Sequence, residues 1–140
     1  MPNDPTPIDQ ALGPEATFRA YLERGQLMLQ RARASGTHVF YPRVAEPGTG
    51  DTDLEWVEAS GLGTVYATTT VRRRDERGGP YNVALVDLDE GVRCMSRIED
   101  LPPDHVYIGQ RVRARIDRDG GAAVLVFVPE HDGGGDVDAP

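Results

Sequence analysis

SGLGTVYATTTVRRRDERGGPYNVALVDLDEG, residues 60–91, decides how this chain folds. Val65, Ala67, Thr69 and Val71 alternate with Tyr66, Thr68, Thr70 and Arg72, the period-two signature of a strand with one buried face. The stretch 81–88 is apolar at nearly every position, which predicts a central strand covered on both faces. An exposed, arginine-rich loop joins the two strands. Gly61 and Gly63 form a GxG, but a strand follows them. A phosphate cradle needs a helix N-terminus there, so the glycines are read as a bend or bulge.

Downstream, Asp89-Glu90-Gly91 turns the chain into a strand over 92–98. Residues 99–109 form an irregular connector in which Pro102-Pro103 leaves room for one helical turn. Val112, Ala114 and Ile116 alternate with three arginines, and Asp119-Gly120-Gly121 leads into a strand over 122–128 that Pro129 ends. Upstream, Pro14 opens a short helix carrying Phe18, Tyr21 and Leu22 on one face, and Gly25 ends it. The segment 27–34 suits a helix by propensity, but Gly25 and Ser35-Gly36 bracket it as a short strand, which is the preferred expectation. Residues 36–53 are loop-like, and 54–57 are a further short strand. A mainly β fold follows: five strands in a small closed or partly open barrel of the OB-fold type, preceded by an N-terminal helix.

The 140 residues suit one domain of about 100 residues with trimmings. Residues 1–13 and 130–140 are expected to be flexible, the latter as a disordered acidic tail, because neither can bury enough apolar surface to offset ordering entropy. The net charge of −8 argues against a general nucleic-acid binder, which must neutralise phosphates. No apolar run is long enough to cross a membrane, and the N-terminus lacks a signal-peptide layout, so a cytoplasmic protein is expected.

Little in the sequence offers catalysis. His38, His105 and His131 lie far apart and at no metal-binding spacing. Cys94, the single cysteine, falls in a strand pattern and is read as a small buried hydrophobe; a nucleophilic role would need a base within reach. The densest basic cluster is Arg72, Arg73, Arg74 and Arg77, next to Pro80 and Tyr81. Asp75 and Glu76 partly neutralise it, and such a tip is usually a solvated loop. Arginine and tyrosine are also the anchors of protein interfaces, which makes these six residues the candidate partner contact. Five acids from Glu46 to Glu58, with no base among them, form a second charged stretch of opposite sign.

SG-x-G-x-V-Y-x-x-T-x-V at 60–71, PY-x-V-A-L-V-x-L-x-E-G at 80–91, Ile108-Gly109-x-x-Val112 and the closing Phe127-Val128-Pro129 form an ordered series. It resembles the acyl-CoA-associated proteins that join an N-terminal helix and a rubredoxin-like zinc ribbon to a C-terminal OB-fold. The resemblance spans about residues 15–129 and implies a ribbon region within 14–53 and an OB domain at 54–129. Gly36, Pro42, Arg43, Pro47, Gly50 and Trp56 keep the frame of such a ribbon. Its four metal-ligand positions, however, are occupied by Ala32, Ser35, Glu46 and Thr49. Alanine, serine and threonine cannot replace thiolates, so a degenerate, metal-free ribbon is expected, held by Leu27, Leu29, Val39 and Phe40 or by a partner.

Members of this family generally act as accessory subunits of thiolase-like enzymes. The resemblance therefore implies a non-catalytic scaffold in a hetero-oligomeric complex. Such a subunit stabilises its enzyme or shapes the acyl-CoA site, has no cofactor of its own, and meets coenzyme A thioester at most indirectly. The alternative is a single-stranded nucleic-acid-binding OB-fold, disfavoured by the charge and by only nine aromatics (one Trp, five Tyr, three Phe).

Overall fold

The computed structural model describes residues 13–130. The flexible-terminus expectations fall mostly outside that range. Within it, Glu130 is held rather than free: its N–H donates to the Arg111 carbonyl at 3.0 Å and its carboxylate pairs with Arg113 at 3.1 Å.

The helix α1 spans Pro14–Glu23, with proline in its first turn as the sequence predicts. Gly25, at φ 79°, reverses the chain, and the N–H groups of Gly25 and Gln26 cap the carbonyls of Leu22 and Tyr21. Three short strands follow: β1 (Met28–Ala32), β2 (His38–Val39) and β3 (Leu54–Glu58), in the order β2-β1-β3. Strand over helix is thus the outcome for 28–32, where Leu29 and Ala32 are fully buried. β3 is paired along its whole length with β1, from Met28↔Glu58 to Ala32↔Leu54. It therefore belongs to this first sheet and not to the barrel, which begins after Ser60.

The second sheet contains β4 (Leu62–Val71), β5 (Tyr81–Leu88), β6 (Arg93–Ser96), β7 (Arg111–Asp119) and β8 (Ala122–Pro129), ordered β6-β5-β4-β7-β8 and antiparallel throughout. Pro103–His105 supplies the single helical turn of the connector. The sheet curls into a half-barrel of the OB type. Its ends meet where Phe127 donates to the Arg97 carbonyl and accepts from the Glu99 N–H, alongside a parallel bridge from Ile98. Phe127 is wholly buried there with Val65, Val86 and Val112, and Leu29 of the first sheet enters the same core.

Two strand expectations change. In β5 only one face is buried, through Asn82, Ala84, Val86 and Leu88, while Val83, Leu85 and Asp87 remain half-buried and Tyr81 is exposed. An antiparallel sheet leaves its outer face to solvent. In β4 a bulge at Tyr66 shifts the register from Val65↔Val86 to Ala67↔Leu85. One extra residue inverts the alternation, so Ala67, Thr69 and Val71 point outward beside Leu85, Val83 and Tyr81. Thr68 and Thr70 turn inward instead. There the Asn82 amide donates to the Thr68 hydroxyl at 2.7 Å, and its oxygen accepts the Ile98 N–H at 2.9 Å.

Gly63 plays a structural part, though not as the expected bend or bulge: it pairs in register with Leu88 on one side and Val112 on the other. A Cβ at this position would lie 2.8 Å from both the Asp87 carbonyl and Val86 Cγ1, so β4 and β5 can approach only over glycine.

Candidate functional site: the outer sheet face and its arginine loop

The bulge gathers exposed apolar side chains on one surface. Ala67, Leu85 and Met95 stand in one cross-strand row, followed by Thr69 with Val83 and then Val71 with Tyr81. Met95 is 63% exposed and Tyr66, in the bulge, is 50% exposed. The turn carrying exposed Tyr107 and Ile108 is fixed beside them, because Gly109 donates to the Val65 carbonyl and Val65 to the Gln110 carbonyl. Tyr41 reaches the same edge, its hydroxyl accepting the Met95 N–H at 3.3 Å. Apart from Val44, the exposed large apolar residues are therefore concentrated, the pattern expected of a contact surface.

One border of this face is neutral. Arg93 pairs with Asp87 at 2.6 Å and its guanidinium carbon lies 3.4 Å from the Tyr66 ring centroid. Arg111 grips Asp89 with two nitrogens and the Thr64 hydroxyl with one, which holds the Asp89 carboxyl below its usual range.

The other border is the loop between β4 and β5. A 3-10 turn at Asp75–Arg77 lifts it from the sheet. Arg73 does not project outward: its Nε donates to the Gly79 carbonyl at 2.6 Å, and its guanidinium lies 4.5 Å from the Tyr81 ring centroid. A Cβ at Gly78 would come within 2.7 Å of that guanidinium, so glycine makes room for it. Arg73 thus organises the loop and orients Tyr81. Arg72 and Arg77 have no ion-pair partner among the described residues, and Arg74 reaches only the exposed Glu76 at 3.9 Å. Pro80 is exposed beside them. All six candidate contact residues are exposed, and Arg73 alone is tied down within the loop by the Gly79 carbonyl and the Tyr81 ring.

The acidic stretch is not an open negative patch. Arg31 pairs with Glu55, and Arg33 with both Asp53 and Glu55, across the β1–β3 ladder. The bases lie twenty or more positions away in the chain, where sequence spacing does not reveal them.

Ala32, Ser35, Glu46 and Thr49 come together. The Ser35 hydroxyl donates to one oxygen of Glu46 at 3.1 Å and the Thr49 hydroxyl to the other at 2.9 Å. Both arms make the same turn: Gly36 donates to the Ala32 carbonyl, and Gly50 to that of Glu46. Glu46 is only 7% exposed, so it is a buried carboxylate satisfied by two hydroxyls. Leu27, Leu29 and Val39 are buried nearby, as the apolar account of this region requires. Cys94 is buried beside the barrel core, and its thiol is pushed up to about 12 by desolvation and then by the Asp87 charge. A thiol held protonated is a poor nucleophile.

A family model described as the C-terminal OB-fold domain of ChsH2 matches residues 56–117. A DUF35 domain-containing scaffold protein of Methanocaldococcus jannaschii is 33% identical over 119 residues, covering 79% of this chain and 84% of that protein. The alpha subunit of a 3-oxo-4,17-pregnadiene-20-carboxyl-CoA hydratase from Mycobacterium tuberculosis is 30% identical over 124 residues, and the match spans 39% of its length. Among solved structures, the Ltp2-ChsH2(DUF35) aldolase superposes with a TM-score of 0.72 at 28% identity, over 91% of this chain and 98% of that one. These likenesses run through both sheets and the helix, and with them the chain belongs to the DUF35 family.

Proposed function

We propose that the protein is a non-catalytic accessory subunit that docks onto a thiolase-like enzyme and stabilises it or helps shape its acyl-CoA site. The observation that carries this reading is the likeness, over nearly the whole chain, to a structure described as the Ltp2-ChsH2(DUF35) aldolase. Relatives named as scaffold proteins and as a CoA hydratase subunit support the same class of role. The outer face supplies a means: an apolar centre, a neutral border, and at the other border Arg72 and Arg77, without ion-pair partners among the described residues. Apolar cores with arginine and tyrosine anchors are the usual anatomy of such interfaces.

In this role the subunit is cytoplasmic, needs no zinc, and meets the coenzyme A thioester only through its enzyme. It binds neither nucleic acid nor membrane. Two guanidinium groups already lie over the exposed rings of Tyr66 and Tyr81, which leaves less aromatic face for base stacking.

Co-purification with a thiolase-like enzyme from the same source is the test. The complex is expected to form with the native chain and to weaken when Arg72, Arg74, Arg77 and Tyr81 are changed to alanine. A chain that captures no acyl-CoA enzyme but binds single-stranded oligonucleotides in a salt-sensitive manner would overturn the reading.

A further inference from the structure

The strand β3 presents an open edge. Its ladder to β1 is bracketed by the Ala59 N–H on the Leu27 carbonyl at 3.0 Å and the Arg33 N–H on the Asp53 carbonyl at 3.1 Å. Antiparallel alternation between those ends turns the backbone groups of Glu55 and Val57 to β1, and those of Leu54, Trp56 and Glu58 away from it. The Leu54 N–H donates to the Thr52 carbonyl at 2.9 Å. The Leu54 carbonyl and both backbone groups of Trp56 and Glu58 have no partner among the described residues. No residue of β3 is fully buried, whereas Leu29, Gln30 and Ala32 of β1 are. The β6 and β8 edges are closed by comparison. The Met95 N–H meets the Tyr41 hydroxyl at 3.3 Å, and the Ala123 N–H meets Glu23 at 3.0 Å. The Leu125 carbonyl accepts from the Ser96 hydroxyl at 3.0 Å, and Phe127 bonds the backbone of Arg97 and Glu99. Folds usually blunt an exposed edge with proline, a basic side chain or a bulge, and β3 (LEWVE) has none of these.

We propose that β3 pairs antiparallel with β3 of a second copy of this chain, about a two-fold axis at Trp56. The two first sheets then join in the order β2-β1-β3-β3-β1-β2. The strand's own sequence selects that occupant. A two-fold pairing centred on Trp56 is the one register that matches all five residues of β3. It sets each Trp56 N–H against the other Trp56 carbonyl and each Glu58 N–H against the other Leu54 carbonyl, so the open groups complement one another. Charge favours the same register. Glu55 stands across from Val57 of the second copy, and Glu58 across from its Leu54, so no acid faces an acid. Moving the centre to Glu55 would set two glutamates directly opposite, which destabilises a ladder. Glu55 is also paired within its own chain by Arg31 and Arg33. A five-residue edge buries little area, and the net charge of −8 opposes a second copy, so the dimer is weak and strengthened by salt.

Sedimentation velocity on the full chain tests the pairing. The sedimentation coefficient is expected to rise with protein concentration, and more steeply at high salt. Leu54→Arg sets a cation across from Glu58 twice per dimer and should tighten association by roughly tenfold; Leu54→Glu sets an acid there and should weaken it by a similar factor. Tightening is a result that a merely misfolded variant does not give. Glu58→Pro removes an edge donor that lies outside the β1 ladder and should abolish association, with far-UV circular dichroism checking that the fold is kept. Amide exchange at Trp56 and Glu58 should be fast in dilute solution and slow as concentration rises. A chain still monomeric at roughly 1 mM in high salt would overturn the proposal. So would association indifferent to both Leu54 variants. Edge amides protected at every dilution would reject it too, since another segment of the same chain would then cover β3.

Discussion

The Ser35 hydroxyl hydrogen bonds the Glu46 carboxylate at 3.1 Å, tying two turns that lie eleven residues apart. With Thr49 on the other oxygen, this buried carboxylate holds the two turns together. Replacing Glu46 with leucine leaves two hydroxyls without their acceptor. The expected cost is about 1–3 kcal/mol, read as a lower denaturant midpoint at unchanged slope. Glu46→Gln keeps one acceptor and should cost less.

If the four positions descend from metal ligands, cysteine should restore the site. The combined variant Ala32→Cys, Ser35→Cys, Glu46→Cys and Thr49→Cys is expected to bind one zinc ion per chain, with a metal-dependent rise in Tm. Metal analysis of the purified variant checks it; weak or absent binding would count against a vacated ribbon.

The arginines of the loop should separate into two behaviours. Arg73→Ala removes the bond to the Gly79 carbonyl and the contact with Tyr81, and should loosen the loop, seen as faster amide exchange at 78–81. Arg72→Ala, Arg74→Ala and Arg77→Ala should leave that exchange unchanged. They should instead slow association with the partner, most strongly at low salt.

Helix docking should depend on pH through Glu23. Its carboxylate accepts the Ala123 N–H at 3.0 Å and pairs with Arg118, and these bonds hold it below its ordinary value of 4.5. A lowered pKa in the folded state stabilises above the unfolded value, and the contribution is lost as pH falls through the folded one. Thermal melts should show α1 loosening from β8 on acidification below about pH 4.5. In Glu23→Gln that part of the acid dependence should disappear.

Gly63→Ala should be severe for its size. The added methyl meets backbone on one side and the buried Val86 on the other, so the strands must part; overpacking of this kind costs roughly 1–3 kcal/mol or more. Equilibrium unfolding of the variant checks the value.

The strands at 81–88, 111–119 and 122–129, the helix and the small barrel were legible in the order of residues, because periodicity and turn residues are local properties. The family resemblance named Ala32, Ser35, Glu46 and Thr49 as one group of positions; the structure joins Ser35 and Thr49 through the Glu46 carboxylate. The remainder depended on contacts between distant segments. The bulge at Tyr66 turned Ala67, Thr69 and Val71 outward, since one extra residue in a ladder is visible only against its partner strand. The pairing of β3 with β1 moved the boundary between the sheets to Ser60 and neutralised acids that stand alone in the chain. Arg73 looks like its neighbours in sequence, yet the open space over Gly78 folds it back onto Tyr81. What residues do alone could be read from their order; what they do together depended on which strands lie side by side.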